Sequence, residues 1–303
     1  MPLFVQTARN EAVLAELGSY RKYINLLDRR HTRIQRIARR AGIVGYEPDL
    51  QATLLGILQG APRGHVFFDV GAHIGLYSAL AYAVYGRHGL RVVAFEPCPP
   101  TFAMARRLKA NNEFRYSLAN LALSSRAGTR PLYISSDDDT KNSLNAKAHP
   151  RTSPLDVQAT TLDEYVASNA LAPTILKIDV ETHEADVING GKATLGRMRP
   201  WLLCELRKRL NRSKLKLTLN WLQSIDYVFY RLSDPLWHTH SVDEVVDDLD
   251  DRDTHWLLSP TPVLPPLIEQ IQAWKDAIAA CDAEAVILTE AGAPVPPELL
   301  ESW

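Results

Sequence analysis

The sequence is poor in the features that mark several common classes of protein. Its three cysteines, Cys98, Cys204 and Cys281, lie far apart with no C-x-x-C pair, which argues against a disulfide scaffold or a zinc ribbon and favours a reducing compartment. No apolar run reaches the roughly 18 residues of a membrane span, and the start of the chain lacks the basic-then-apolar layout of a secretion signal. The formal net charge of −1 gives no indication of nucleic-acid binding. We therefore expect a cytoplasmic protein with no nucleic-acid or membrane partner.

Two phosphate-binding motifs are also missing from the chain. There is no G-x-G-x-x-G dinucleotide fingerprint, because Gly71 and Gly75 are separated by three residues. There is also no G-x-x-x-x-G-K-[ST] loop anywhere in the sequence. These absences argue against NAD, FAD and ATP as ligands.

The most informative segment that is present combines a buried-strand pattern, a glycine turn and a helix. Residues 66–70 are β-branched or aromatic apart from one acid, and residues 76–85 have the length and alanine content of a helix. Gly71 and Gly75 lie between them, where glycine allows close backbone approach and a helix start offers unpaired N–H groups. A second apolar run ends in Glu96, which can accept hydrogen bonds from both hydroxyls of a ribose. The pattern predicts a nucleoside cofactor site.

Three segments resemble the FkbM-type family of class I S-adenosylmethionine-dependent methyltransferases. The first is Asp-Val-Gly-Ala-His-Ile-Gly-Leu-Tyr-Ser at 69–78, and the second is Ala-Phe-Glu-Pro at 94–97. The third, Leu-Lys-Ile-Asp-Val-Glu-Thr-His-Glu at 176–184, is similar to the family's K-I-D-V-E-G-x-E signature. Thr182 stands where that family usually has glycine. The resemblance covers 46–260 and implies S-adenosylmethionine as the cofactor.

The resemblance also implies which residues bind the cofactor. The glycine turn would hold its methionine part, Glu96 its ribose, and the segment around Ala122 and Leu123 its adenine. The full implied set is Asp69, Gly71, His73, Gly75, Tyr77, Ser78, Glu96, Ala122 and Leu123.

Three further residues, Asp179, Glu181 and His183, are candidates for accepting a proton from the acceptor, because they cluster at the end of the fourth parallel strand, on the side that faces the methyl group. Alternatives remain open for each of them. Asp179 could bind backbone or cofactor, Glu181 could pair with Lys177, and His183 could be an exposed residue at a helix start. We predict no metal site, although a divalent metal held by these acids stays open.

The alternation of strands and helices predicts an α/β fold, with a doubly wound, mostly parallel, Rossmann-like sheet. The resemblance implies seven strands, the last two forming an antiparallel hairpin at 227–232 and 255–258. We divide the chain into an N-terminal helical segment (1–45), a methyltransferase domain (46–260) and a C-terminal extension (261–303). Helices are expected at 101–111, 184–195, 214–224 and 267–280, and strands at 116–123, 129–134, 174–180 and 201–206.

The N-terminal segment shows apolar residues at helical spacing over 9–41, namely Val13, Leu14, Leu17, Tyr20, Ile24 and Leu27. A basic cluster follows, made of Arg29, Arg30, Arg33, Arg36, Arg39 and Arg40, which we interpret as a solvated helix face. The acidic residues Asp137, Asp138 and Asp139, next to Asn142 and Ser143, form either a lid that contacts the acceptor or a solvent loop. A second acidic loop lacks the spacing of a calcium loop and is interpreted as solvated; it contains Asp247, Asp248, Asp250, Asp251 and Asp253.

Together these features predict an O-methyltransferase that acts on a hydroxyl of a small molecule, a sugar or a polyketide-like secondary metabolite. Two alternatives remain at this point. One is a nucleotide-dependent oxidoreductase or epimerase on a related sheet, and the other is a non-catalytic protein that binds S-adenosylmethionine. The C-terminal extension could cover a sheet edge, form a homodimer interface or cap the substrate pocket.

Overall fold

The computed structural model describes residues 3–9, 20–26, 32–60, 64–135, 140, 142–145, 153–235, 237–249, 254–281 and 286–287. Its strands are β1 (Leu3–Gln6), β2 (Tyr23–Asn25), β3 (Val66–Val70), β4 (Arg91–Phe95), β5 (Ser117–Ala119), β6 (Ala122–Leu123), β7 (Gly128–Tyr133), β8 (Pro154–Thr160), β9 (Ile175–Ile178), β10 (Trp201–Glu205), β11 (Val228–Arg231), β12 (Thr239–His240), β13 (His255–Ser259) and β14 (Val286–Ile287). Its α-helices are α1 (Arg33–Ala41), α2 (Pro48–Gln59), α3 (Leu76–Tyr85), α4 (Pro99–Asn111), α5 (Leu162–Asn169), α6 (Glu184–Asn189), α7 (Lys192–Met198), α8 (Arg212–Ser224), α9 (Val242–Asp247) and α10 (Pro265–Ala279).

The central sheet has the strand order β12-β11-β13-β10-β9-β3-β4-β5. Neighbours from β5 to β10 pair in parallel, whereas β13 pairs antiparallel with both β10 and β11. The predicted doubly wound sheet with a closing hairpin is confirmed, and the two-residue strand β12 adds an eighth strand at one edge. The strand order reverses between β3 and β9, which places a crevice at their carboxyl ends.

The strand β3 is buried over all five of its residues because helices cover both faces of the sheet. Its side chains alternate between the two cores, so Phe67 packs into one and Phe68 into the other. The first core contains α2, α3 and α10, and the second contains α5 to α9. Where the sequence predicts a single helix over 184–195, the glycine pair at Gly190 and Gly191 separates α6 from α7.

The N-terminal segment corrects the predicted helix over 9–41. Among the described residues of this segment, Tyr23–Asn25 forms the strand β2, which pairs antiparallel with β1, and Arg33–Ala41 forms the helix α1. The competing signal is a capping box at Thr32 and Gln35, which starts the helix there, while Ile24 is fully buried in the first core by strand pairing. The predicted positions Val13, Leu14, Leu17, Leu27, Arg29 and Arg30 lie outside the described residues.

A second sheet, with the order β6-β8-β7, was only partly expected from the sequence. The prediction included the stretch that forms β7 but not β8, whose residues are mostly exposed and carry a weak hydrophobic pattern. The sheet leads into residues 142–145, where Ser143 pairs with Tyr133. The acidic run at 137–139, as well as Asp250, Asp251 and Asp253 of the other acidic loop, lies outside the described residues.

The described helix of the C-terminal extension belongs to the first core. Helix α10 packs against α2, where Ile271 lies over Gly56, and the indole Nε1 of Trp274 donates to Oε1 of Gln59 at 2.6 Å. The predicted helix is confirmed and begins earlier, because prolines are tolerated in a first helical turn. Strand β14 then pairs with β1. None of the helices that the structure describes has the length and apolar character needed to cross a membrane.

Candidate active site

An open cleft of about 570 Å³ lies at the carboxyl edge of the sheet, at the crevice between β3 and β9. Seven of the predicted site residues line it: Gly71, His73, Glu96, Ala122, Leu123, Asp179 and Glu181. The other lining residues are Val70, Phe95, Pro97, Leu121, Leu132, Thr140, Asn142, Leu144 and Val180.

Glu96 stands at the tip of β4, as the sequence predicts, and is held there by backbone groups. Its Oε2 accepts from the N–H of His73 at 2.9 Å, and its Oε1 accepts from the N–H of Cys98 at 2.8 Å. Burial raises the pKa of Glu96 to about 7, and these two N–H groups oppose that shift. Each oxygen retains a lone pair for a further donor, which suits two adjacent hydroxyls of a ribose.

The apolar wall next to Glu96 is formed by Phe95, Leu121, Ala122 and Leu123. A carboxylate that can accept from two hydroxyls, beside an apolar wall, suits the ribose and the base of an adenosine. The residues present therefore fit a nucleoside cofactor.

Gly71 allows the ends of β3 and β9 to approach closely. Its backbone has a φ of +78°, and a Cβ built on it would lie 1.9 Å from the backbone oxygen of Asp179. No side chain is compatible with both conditions. Gly75 has a φ of +86° and precedes the first residue of α3. The glycine turn therefore shapes the floor of the cleft.

Four predicted cofactor residues, Asp69, Gly75, Tyr77 and Ser78, support the cleft from behind and do not line it. Asp69 is fully buried, and its Oδ2 accepts from the N–H of Ser78 at 3.0 Å and from its Oγ at 2.7 Å. The hydroxyl of Tyr77 donates to Glu47. Burial raises the pKa of Asp69, while Lys177 and Ser78 oppose this. The hydrogen bonds between Asp69 and Ser78 therefore fix the start of α3 against β3.

Lys177 lies beneath the cleft between two carboxylates. Its Nζ is 3.0 Å from Oδ2 of Asp179 and 3.7 Å from Oδ1 of Asp69, because β3 and β9 pair Asp69 with Lys177 directly. Burial alone would raise the pKa of Asp179, but the Lys177 charge and the hydrogen bonds from Glu205 and Lys177 together outweigh burial, so the pKa of Asp179 is lowered. Asp179 is therefore held as a carboxylate.

Arg207 connects the other acids of this edge. Its guanidinium forms a two-point contact with Glu205, with Nε and Nη2 each 2.7 Å from a carboxylate oxygen, and its Nη2 lies 3.4 Å from Oε1 of Glu181. Burial and then the charge of Asp179 raise the pKa of Glu205 well above its ordinary value. Arg207 therefore places Glu181 against the cleft and compensates its charge. Glu181 pairs with Arg207, and not with Lys177 as one alternative had it.

His183 is directed away from the cleft. Its Nε2 lies 3.0 Å from Oγ of Ser124, and its Nδ1 lies 3.4 Å from Oδ2 of Asp186. Burial lowers its pKa. The cleft lining does not include it. The structure therefore separates His183 from the other two candidate proton acceptors and places it in the contact between β6 and α6.

The turn after β9 explains how Thr182 replaces a glycine. Glu181 and Thr182 have φ values of +52° and +75°, so the position still requires a left-handed backbone. Oε1 of Glu184 accepts from the N–H groups of Val180 and Thr182 at 3.0 and 3.3 Å, and Asn145 donates to the Thr182 hydroxyl at 2.9 Å. These contacts hold the strained turn and keep Glu181 aimed at the cleft.

Two groups of potential metal ligands share Glu205. In each group the ligand atoms lie within 4.8 Å of one another; the groups are Asp179 with Glu181 and Glu205, and Glu47 with Glu205 and His255. Lys177 and Arg207 already place two positive charges among these acids. The chain's own cations therefore supply the charge compensation that a divalent ion would provide.

Comparison with known proteins identifies the family. The sequence profile of the methyltransferase FkbM domain matches residues 69–232, more than half of the chain. The chain belongs to the FkbM methyltransferase family. As a family member it is a methyltransferase whose cofactor is S-adenosylmethionine. The expected family, fold class and cofactor are thereby confirmed. No curated protein matches the sequence.

This FkbM methyltransferase is also similar to solved structures, at low identity. Methyltransferase FkbM from Methylobacillus flagellatus KT has a TM-score of 0.43 and 18% identity, and the match covers 68% of this chain and 47% of that one. A putative rRNA methylase from Clostridium thermocellum has a TM-score of 0.41 and 12% identity, over 69% and 93% of the two chains. Aeropyrum pernix fibrillarin, solved with bound S-adenosyl-L-methionine, has a TM-score of 0.38 and 12% identity, over 69% and 76%. The chain thus matches about half the length of the Methylobacillus protein, and the family assignment depends on the domain match alone.

Sequence reasoning missed two residues of the FkbM methyltransferase cleft region, Glu205 and Arg207. Glu205 ends β10 at the carboxyl edge, much as Glu96 follows β4. That position was a usable signal, since ligands of open α/β sheets lie beyond the carboxyl ends of strands. Arg207 carried no signal of its own, because its role arises from the contacts it makes with Glu181 and Glu205 in the fold.

Proposed function

We propose that this FkbM methyltransferase methylates a hydroxyl oxygen of a small molecule, with a sugar or a polyketide-like metabolite as the acceptor class. The observation that carries the proposal is the pair of acids at the end of β9. Asp179 and Glu181 both line the cleft that contains Glu96 and the apolar wall, and each is held by a different cation. Carboxylates placed in this way can orient a hydroxyl and receive its proton.

S-adenosylmethionine supplies an electrophilic methyl group on a sulfonium sulfur, which leaves as a neutral thioether. The residues of the chain then have two tasks, to align the acceptor and to remove its proton. Alignment can lower the barrier by about 7–11 kcal/mol. A general base typically contributes about 10²–10⁴-fold in rate, which corresponds to about 3–5 kcal/mol. Positioning is therefore the larger contribution.

Of the two acids, Glu181 is the better proton acceptor. Asp179 is 3.0 Å from the buried Lys177, and its lowered pKa makes it a weak base. Glu181 has a longer contact with Arg207, 3.4 Å, and its side chain is 12% exposed at the cleft. We assign the proton transfer from the acceptor hydroxyl to the Glu181 carboxylate, and the orientation of that hydroxyl to Asp179.

The rest of the cleft supports an acceptor with both apolar and polar faces. Leu132 and Leu144 contribute apolar surface, and Thr140 and Asn142 contribute a hydroxyl and an amide. Sugars and polyketides present this combination, with C–H faces and hydroxyl edges.

Methyl transfer to a panel of sugars, polyketide-like alcohols and amines tests the proposal, with S-adenosylhomocysteine formation as the readout. We expect Glu181→Gln to lower turnover with hydroxyl acceptors by about 10²-fold while leaving cofactor affinity unchanged. Glu269→Gln, an exposed acid on α10, is the matched control and should retain full activity. Methylation of amines but of no alcohol would contradict the proposal, as would full turnover in Glu181→Gln.

A further inference from the structure

A second concave surface lies at the amino edge of the sheet, opposite the edge that carries the cofactor cleft. It is an open cavity of about 1,190 Å³ whose walls include Arg21, Arg87, Arg115 and Glu113, with Tyr82 and Phe114 behind them. The edge follows from the chain path, because α3 ends at Tyr85 before β4 starts, and α4 ends at Asn111 before β5 starts. We call this surface the arginine cavity.

The arginine cavity concentrates positive charge in a chain whose formal net charge is −1. Three guanidinium groups line it, and Glu113 is the one acid among its lining residues. Arg87 and Arg115 are exposed, and neither makes an ion pair or a side-chain hydrogen bond with the part of the chain that the structure describes. Both guanidinium groups are therefore open to a ligand that enters the cavity.

The third guanidinium, that of Arg21, is held in a fixed position. It donates to the backbone oxygen of Asn112 and lies over the ring of Phe114, with 5.0 Å between its central carbon and the ring centroid. The Asn112 side chain is itself tied to the backbone of Asn25 by two hydrogen bonds of 2.8 Å, and the N–H of Arg21 donates to Ala83 at 2.8 Å. A cation that is already ordered loses less conformational entropy when a ligand binds.

Aromatic rings form the back wall of the cavity. The ring of Tyr82 packs edge-on against Phe114 at 5.3 Å and against Tyr116 at 5.7 Å, and Tyr82 is only half-buried. Gly86 lies next to this ring, where a Cβ would approach the ring carbons to 3.0 Å. A partly exposed ring beside cationic groups suits a ligand that joins an apolar or aromatic part to an anion.

We propose that the arginine cavity binds a phosphorylated small molecule, with its phosphate groups between Arg21, Arg87 and Arg115. The planar guanidinium group matches two phosphate oxygens, and three such groups from different segments of the chain line this one cavity. An extended nucleic acid would need a longer series of phosphate contacts than this cavity offers. Because the cavity and the cofactor cleft lie at opposite edges of the sheet, the ligand would bind without displacing the cofactor.

Calorimetry of the full chain with inorganic pyrophosphate and with ADP, at about 150 mM salt, tests the proposal. The double variant Arg87→Gln/Arg115→Gln should bind pyrophosphate about 100-fold more weakly than the wild type, since hydrogen bonds to charged groups are strong and two are lost. The control is Arg106→Gln/Arg107→Gln, the same change of charge on exposed positions of α4 outside the cavity. It should change the affinity less than about threefold. Tighter binding of ADP than of pyrophosphate would identify a nucleotide, and tighter binding of pyrophosphate would identify a ligand without a base; either result supports the proposal.

Three results would overturn the proposal. The first is no binding of either probe at millimolar concentration. The second is an equal loss in both double variants, which would indicate diffuse charge attraction. The third is single-stranded RNA of 20 nucleotides binding more tightly than ADP with the same dependence on Arg87 and Arg115, which would make the cavity part of a nucleic-acid surface. Both double variants alter exposed side chains, so we expect them to unfold at the same temperature as the wild type, and a thermal melt checks that they are folded.

Discussion

The Nζ of Lys177 lies 3.0 Å from Oδ2 of Asp179, with 3% of the lysine side chain exposed. The register of β3 and β9 places Asp69 on the other side of the same cation. One buried lysine therefore compensates two carboxylates beneath the cleft, and the rigidity of the acids above it depends on this lysine.

Replacing Lys177 by methionine should destabilise the protein by about 3–5 kcal/mol, because it leaves buried carboxylates without a counter-charge. The measurement is the free energy of unfolding in urea. Lys192→Met is the control, since Lys192 is exposed and only lies over the ring of Trp221. A loss in Lys177→Met no greater than that of the control would contradict the role given to Lys177.

Cofactor affinity should decrease as the pH falls through about 7. Burial raises the pKa of Glu96 to about 7, and ribose hydroxyls donate to its ionised form, so protonation turns one of the two acceptor oxygens into a donor and weakens the contact. We expect binding to weaken roughly tenfold between pH 8 and pH 6, measured by calorimetry with S-adenosylmethionine. Glu96→Gln should bind more weakly at every pH and show only the cofactor's own titration. If cofactor affinity changed with pH in the same way in the wild type and in Glu96→Gln, Glu96 would not be the ribose-binding carboxylate.

Gly71→Ala should destabilise the fold by more than about 3 kcal/mol and abolish cofactor binding, because its Cβ would meet the backbone oxygen of Asp179. Gly89→Ala is the control, because it introduces the same backbone strain without a contact to a neighbouring atom. Gly89 has a φ of +88° and no neighbouring atom within 4 Å of its built Cβ, so its cost should be only about 1–2 kcal/mol. Equal losses of unfolding free energy in the two variants would show that the contact with Asp179 has no effect.

Glu184 should make the protein less stable as the pH rises from about 4.5 to 8. Burial raises its folded-state pKa to about 8, above the ordinary value of 4.5. Between these values the folded state holds a proton that the unfolded state has lost, so the unfolding free energy falls with pH by about 1.4 kcal/mol per pH unit from this group. Glu184→Gln keeps the oxygen that accepts from Val180 and Thr182 and removes the titration. Urea unfolding at pH 5 and pH 8 should therefore show a smaller loss in the variant, and an unchanged loss would count against a protonated Glu184.

The sequence predicted the main part of the cleft because the features that build it are local. The strand, the turn at Gly71 and the acid at Glu96 follow one another within about 30 residues, and each has a direct physical reason in its own residue type. The placement of Asp179 and Glu181 at the cleft was also predictable, since both follow a strand. Local patterns do not show the direction of a side chain. For that reason the sequence grouped His183 with Asp179 and Glu181 as a candidate proton acceptor, although its side chain is directed away from the cleft.

The remaining differences come from contacts between distant segments. The strand β2 has helical spacing in the sequence but pairs with β1, and tertiary pairing outweighs a weak periodicity. Arg207 became part of the site only through Glu205 and Glu181, two other elements of the same edge. Strand β8 is mostly exposed, so its apolar pattern was too weak to detect.

The pairing of β14 with β1 joins Leu3 to Ile287, two residues separated by nearly the whole length of the chain. Contacts of such sequence separation carry the largest entropic cost of closure and form after the more local ones. In a refolding experiment the amide protons of this ribbon should gain protection last, after the central strands. During synthesis, β1 can pair with β2 early, whereas its second edge stays unpaired until β14 has been made.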